Sequence, residues 1–118
     1  MNRHDILCCL TLLLLPTPGV SLLPRLLAVA GSPQGALRVT EEQLLLLGAK
    51  PATISALQRL DGEPDPAGRS IADALSAHRI SVIGIHESAY PQRLREIAHP
   101  PAILFVRGDS AEIGRAHV

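Results

Sequence analysis

HRISVIGIHESAYPQRLREIAHPPAILFVRGD, residues 78–109, is the stretch whose reading decides the fold. Residues 80–85 (ISVIGI) form an apolar run rich in β-branched side chains, the pattern of a strand covered on both faces. Ser88-Ala89-Tyr90-Pro91 breaks that run. Pro91 fixes φ and lacks an N–H, so it suits the first position of a new helix, QRLREI. Leu94 and Ile97, three apart, share one face of that helix, while Arg93, Arg95 and Glu96 point elsewhere. Pro100-Pro101 ends it, and residues 102–106 predict a second buried strand closed by Arg107-Gly108-Asp109. The expected order is strand, short helix, strand, with the two aliphatic runs as neighbours. Two strands alone make no stable sheet, so this is the start of one.

Upstream, the punctuation is that of a small helical domain. MNRHDILCCLTLLLLPTPGVS has a basic residue, Arg3, ahead of an apolar run, as a secretory signal does. Asp5 and His4 interrupt the basic end, and the run is too short to span a membrane. A buried first helix in a reduced protein is the expected reading, because adjacent Cys8 and Cys9 are poorly placed for a disulfide. A turn at Pro16 to Ser21 separates it from LLPRLLAVA, with Ser21 as N-cap and Gly31 as the stop. Ser32-Pro33 starts a short segment. Thr40 and Gln43 form a capping box for a helix that Gly48 closes. Pro51 begins ATISALQRL with Ile54, Leu57 and Leu60 as its apolar stripe. Residues 61–68, DGEPDPAG, form a loop, and Ser70 with Asp73 caps a last helix through Ala77.

Composition narrows the function. The 118 residues are 47% hydrophobic but only 2% aromatic, so the core is Leu, Ile, Val and Ala, which favours packed helices. The formal net charge is zero, which excludes a strong, autonomous nucleic-acid binder. All the cations except Lys50 are Arg, and these still suit individual phosphate contacts.

Residues 88–109 resemble a signature of the DNA-processing protein A family (DprA, also called Smf): a Tyr-Pro-x-x-Leu-Arg-x-Ile segment, a Pro-Pro pair and a Leu-Phe-Val-Arg-Gly strand. The matching residues are Tyr90, Pro91, Leu94, Arg95, Ile97, Pro100, Pro101, Leu104, Phe105, Val106, Arg107 and Gly108. The preceding helical part matches more loosely. The resemblance implies an α+β fragment in which a helical bundle, SAM-like or helix-hairpin-helix-like, spans residues 1–77. The opening strand-helix-strand of a Rossmann-like domain follows at 78–109. Residues 110–118 depart from the pattern and read as an atypical, artefactual tail, so an amino-terminal fragment is expected. The implied role is binding single-stranded DNA in natural transformation and loading RecA recombinase onto it, in the cytoplasm. The resemblance further implies a homodimer for a full-length protein, no membrane association, no cofactor and no enzymatic activity. This chain alone is expected to bind single-stranded DNA weakly or not at all.

The candidate nucleic-acid contact is the turn Gly19-Val20-Ser21, where backbone N–H groups and a helix N-terminus suit a phosphate, with Arg25 adding charge. Ser21 stands where the family pattern has a second glycine. Arg107 is a further candidate, with Arg79, Arg93 and Arg95 as possible neighbours on one side. Tyr90, Pro91, Leu94, Arg95, Pro100, Pro101, Phe105 and Gly108 are expected to be structural, with the Tyr90 ring over the strand and its hydroxyl satisfied. The five histidines lack zinc-type spacing, so no metal site is expected. His86-Glu87-Ser88 holds residue types of a nucleophile system, but neighbours in an extended chain point in opposite directions. No catalytic residue is expected. Two other readings stand beside this one: a secreted small helical protein with residues 1–19 as signal peptide, and a helical protein-interaction module.

Overall fold

Asn2 starts the first helix, its side chain accepting the Asp5 N–H at 2.8 Å as an N-cap for α1 (Arg3–Leu13). The computed structural model describes residues 2–16 and 22–108. Within them the chain is α+β, mostly helical with one two-stranded antiparallel sheet. α1 is the buried first helix the sequence predicts, with Cys8, Cys9, Leu10 and Leu12 all inside. Its Thr11 hydroxyl donates to the Leu7 carbonyl and accepts the Asp65 N–H, both at 2.8 Å, which pins the 61–67 loop to α1.

The helices that follow begin and end where local chemistry sets them. α2 (Leu22–Ala30) buries Leu22, Leu23, Leu26 and Leu27. Gly31 closes it at φ +77°, a conformation glycine adopts without strain. α3 (Pro33–Ala36) is capped by Ser32, which accepts the Gly35 N–H at 3.0 Å. α4 (Glu41–Leu46) carries the capping box as expected, with Thr40 and Gln43 each serving the other's backbone N–H. α5 (Pro51–Leu60) starts on Pro51 and buries Ile54 and Leu57.

α6 (Gly68–Ala77) departs from expectation. It begins at Gly68, and the cap expected from Ser70 and Asp73 is not made. Asp65 turns the chain earlier, its carboxylate accepting the Ala67 N–H at 3.0 Å and its carbonyl the Gly68 N–H at 3.0 Å. Asp73 is drawn instead to Arg3 on α1, at 2.7 Å.

The sheet pairs β1 (Ile80–Gly84) with β2 (Ile103–Arg107), and α7 (Gln92–Arg95) lies between them in sequence. The two aliphatic runs are neighbours, as predicted. They run antiparallel, with Ile80 opposite Arg107, Val82 opposite Phe105 and Gly84 opposite Ile103. A parallel return needs a crossover of a dozen or more residues, usually a helix laid across the sheet. The four residues of α7 do not supply one, and two antiparallel strands do not by themselves show a Rossmann-like start. Two finer expectations are corrected as well. α7 stops at Arg95, so Ile97 falls past its end and is exposed rather than sharing a face with Leu94. β2 is not a buried strand: Ile103 is inside, but Phe105 is 47% exposed, because the helices cover β1 and the near end of β2 and stop there.

One core joins the helices to the sheet. Leu12, Leu26, Leu27, Leu44 and Ile54 pack in a single cluster with Val82, Ala102 and Ile103. On the opposite side of β1, Ile83 packs with Tyr90, Leu94, Leu104 and Val106.

The two thiols make this core sensitive to alkali. Burial, reinforced by the Asp5 carboxylate, pushes Cys8 up to about 11, and burial with Glu87 pushes Cys9 up to about 12. In the unfolded chain both ionise near 9.0. From there to about 11 the unfolded form binds fewer protons than the folded one, so stability falls as pH rises. The urea midpoint is expected to drop across that window. At neutral pH a thiol reagent should label both cysteines only after denaturation; rapid labelling of the native protein would show that they are not inside.

Candidate nucleic-acid interface

The segment between β1 and β2 is held by a clasp built from two side chains. Tyr90 is 2% exposed, with its ring against Ile83, and its hydroxyl donates to the Pro101 carbonyl at 2.7 Å. Arg95 reaches back from α7 and donates to the carbonyls of Ile85 and Glu87. Its guanidinium sits 5.1 Å from the centroid of the Tyr90 ring, within cation–π range. Burial raises the Tyr90 phenol pKa, and the Arg95 charge opposes that rise. Tyr90 ties the segment to the start of β2, and Arg95 ties it to the end of β1.

The other motif residues take places around this clasp. Pro91 is the N-cap of α7 rather than its first residue. Leu94 packs into the Tyr90 cluster. Pro100 is half-buried and Pro101 exposed, with the Pro101 carbonyl as the anchor for Tyr90. Gly108 has φ +105°, and its N–H closes the ladder on the Arg79 carbonyl at 2.8 Å. Gly84 lies beneath the His86 imidazole, which a Cβ at that position would strike. The chain bends here, so His86 and Glu87 do not diverge as they would in a strand: Nε2 of His86 lies 3.9 Å from Oε1 of Glu87.

Gly19, Val20 and Ser21 lie outside the described residues. Arg25 donates to the Leu47 carbonyl at 2.7 Å, bracing the end of α4. That bond draws attention to α4–turn–α5, two helices and a glycine stop that the sequence predicts but whose turn it does not single out as a phosphate contact. There Leu47 is the C-cap, Gly48 turns the chain at φ +82° with open space around it, and Ala49 is buried. Lys50 is the exposed N-cap of α5 and makes no side-chain capping bond. With Pro51 at the first position and Ile54 making the first intrahelical bond, to Lys50, the N–H groups of Ala52 and Thr53 have no helical partner. A glycine turn, a helix start and one cation are the features sought at Gly19. Gly48, one apolar residue, Lys50 and Pro51 in a row were the available signal.

Arg107 is exposed at the end of β2, on the sheet rather than on this turn. Of the arginines weighed as DNA-facing, Arg95 is taken up by the clasp, and Arg79 holds a left-handed turn at φ 55° before β1. Among the described residues no three His, Cys, Asp or Glu side chains gather where a metal ion would sit. No described helix is long and apolar enough to cross a membrane. Searches against protein-family models, curated proteins and solved structures find no match to this chain.

Proposed function

We propose that this chain is a DNA-handling module of the DNA-processing protein A kind, binding single-stranded DNA and assisting the loading of RecA in the cytoplasm. In this reading the helices of residues 1–77 are the SAM-like or helix-hairpin-helix-like unit, and β1 and β2 open a Rossmann-like sheet. Its work is binding rather than bond-making, and a homodimer is part of the same reading. One observation carries it. Residues matched as a linear pattern, Tyr90, Leu94, Arg95 and Pro101, mesh physically into one clasp, which accounts for their occurring together in this order. The turn at Gly48 and Lys50 adds a glycine turn, a helix start without a side-chain cap and one exposed cation, features that suit a phosphate.

A chain with zero net charge and one such turn should hold DNA weakly. Fluorescence anisotropy with an oligothymidylate probe is expected to give a dissociation constant of roughly 10–100 µM in low salt, lost at physiological salt. Lys50→Glu should weaken it further, while duplex DNA competes poorly. No response at about 100 µM protein in low salt would remove the contact assigned to the Gly48–Lys50 turn. A sub-micromolar affinity would contradict the charge argument.

The protein-interaction reading also has an observation in its favour. Leu45 and Leu46 are side by side on α4 and are 60% and 82% exposed, more apolar surface than a short helix needs to leave in water.

A further inference from the structure

The direction of every backbone group in the sheet follows from two hydrogen bonds. Ile85 N–H donates to Ala102 and Gly108 N–H to Arg79, so odd-numbered residues of β1 face β2. The N–H and C=O groups of Ile80 and Val82 therefore point away from β2. Among the described residues they find no partner. Val82 is nonetheless buried, so its unpaired groups carry the cost of leaving water.

A cavity of about 480 Å³ runs along this edge. Four consecutive residues, 80–83, line it. Successive side chains of a strand point to opposite faces, so only a cavity along the edge can touch all four. Its far wall is Ile6 of α1 and Leu75 of α6, with the Ser76 hydroxyl on the rim. Arg3, paired with Asp73 at 2.7 Å, and Glu87 also line it. The outer edge of β2 also finds no partner among the described residues, but Phe105 and Arg107 there are exposed.

We propose that the groove between β1 and helices α1 and α6 docks a peptide in extended conformation with aliphatic alternate side chains, which adds to β1 as a further strand. Donors and acceptors recurring every second residue match the main chain of an extended peptide. The aliphatic walls, Ile6 and Leu75, take its alternate side chains. β1 spans five residues, so a partner of about five residues fills the edge. This inference is independent of the DNA reading and is tested without nucleic acid.

The probe is the capped peptide acetyl-Thr-Val-Thr-Val-Thr-amide, added to the isotope-labelled 118-residue chain. At about 5 mM peptide, amide exchange at Ile80 and Val82 should slow at least about tenfold, the signature of new backbone pairing. The same peptide N-methylated at both valines should give no protection. Ser76→Trp, a change on the exposed rim, should abolish the effect while leaving the amide spectrum otherwise that of the folded chain. An equal response from the N-methylated peptide would overturn the proposal, because it would show adsorption on the apolar wall. Protection at Phe105 instead, or no change at Val82, would overturn it too.

Discussion

Deleting residues 1–19 is expected to abolish cooperative unfolding. A signal peptide is expendable once removed, but α1 is the centre of this core, and the cut takes Cys8, Cys9, Leu10, Leu12 and Leu15 out of it. Each buried leucine contributes about 1.5–3 kcal/mol. Three of them, with two thiols, rival the whole net stability of a domain this size, roughly 5–15 kcal/mol. The loss does not stop at area. Thr11 holds the Asp65 loop, and Thr53 on α5 donates to the Pro16 carbonyl at 2.8 Å, so two further segments lose their anchors. The truncated chain should show no sigmoidal thermal transition by circular dichroism and should bind a hydrophobic dye. Leu12→Ala gives a graded check, with an expected loss of about 2–5 kcal/mol. A truncated protein that melts cooperatively near the temperature of the full chain would show that α1 is dispensable, which would favour the secreted reading.

What was legible in the sequence was whatever a few neighbouring residues decide among themselves. The capping box at Thr40 and Gln43, the stops at Gly31 and Gly48, and the start at Pro51 depend only on local backbone chemistry, and each is found in place. The misreadings share a different cause. Asp73 reads as a helix-capping residue until Arg3, seventy positions away, takes its carboxylate. The direction of pairing in the sheet is silent in an aliphatic run, since ISVIG and ILFVR look the same run either way. Phe105 was placed inside by composition, but burial depends on what lies over the strand, and the helices end before reaching it. The turn at Gly48 reads as a helix stop and not as a phosphate contact for a related reason. Its signal is as short as the one at Gly19, and only the arginine bracing Leu47 draws attention to it.

Replacing Arg95 should separate structure from charge in the region of resemblance. Its guanidinium holds two backbone carbonyls, Ile85 and Glu87, and covers the Tyr90 ring. Arg95→Ala removes both charge-assisted bonds and the ring contact together, for an expected loss of about 2–4 kcal/mol. For a domain of this length that lowers Tm by roughly 10–20 °C. Arg95→Lys keeps the charge but has one compact ammonium in place of a planar fork, so it cannot serve two carbonyls and the ring at once. It should therefore recover less than half of the loss. Tyr90→Phe leaves the Pro101 carbonyl without its partner and should cost about 1–2 kcal/mol. Because Tyr90 and Arg95 touch, the double variant should lose less than the two single losses added, by roughly 0.5–3 kcal/mol. DNA binding then provides the contrast. If Arg95 is a clasp, Arg95→Lys lowers Tm while the weak, salt-dependent binding attributed to Lys50 persists below the melting range. Were Arg95 a phosphate contact, the lysine would preserve both binding and Tm, and the meshing of the motif residues would no longer account for their order.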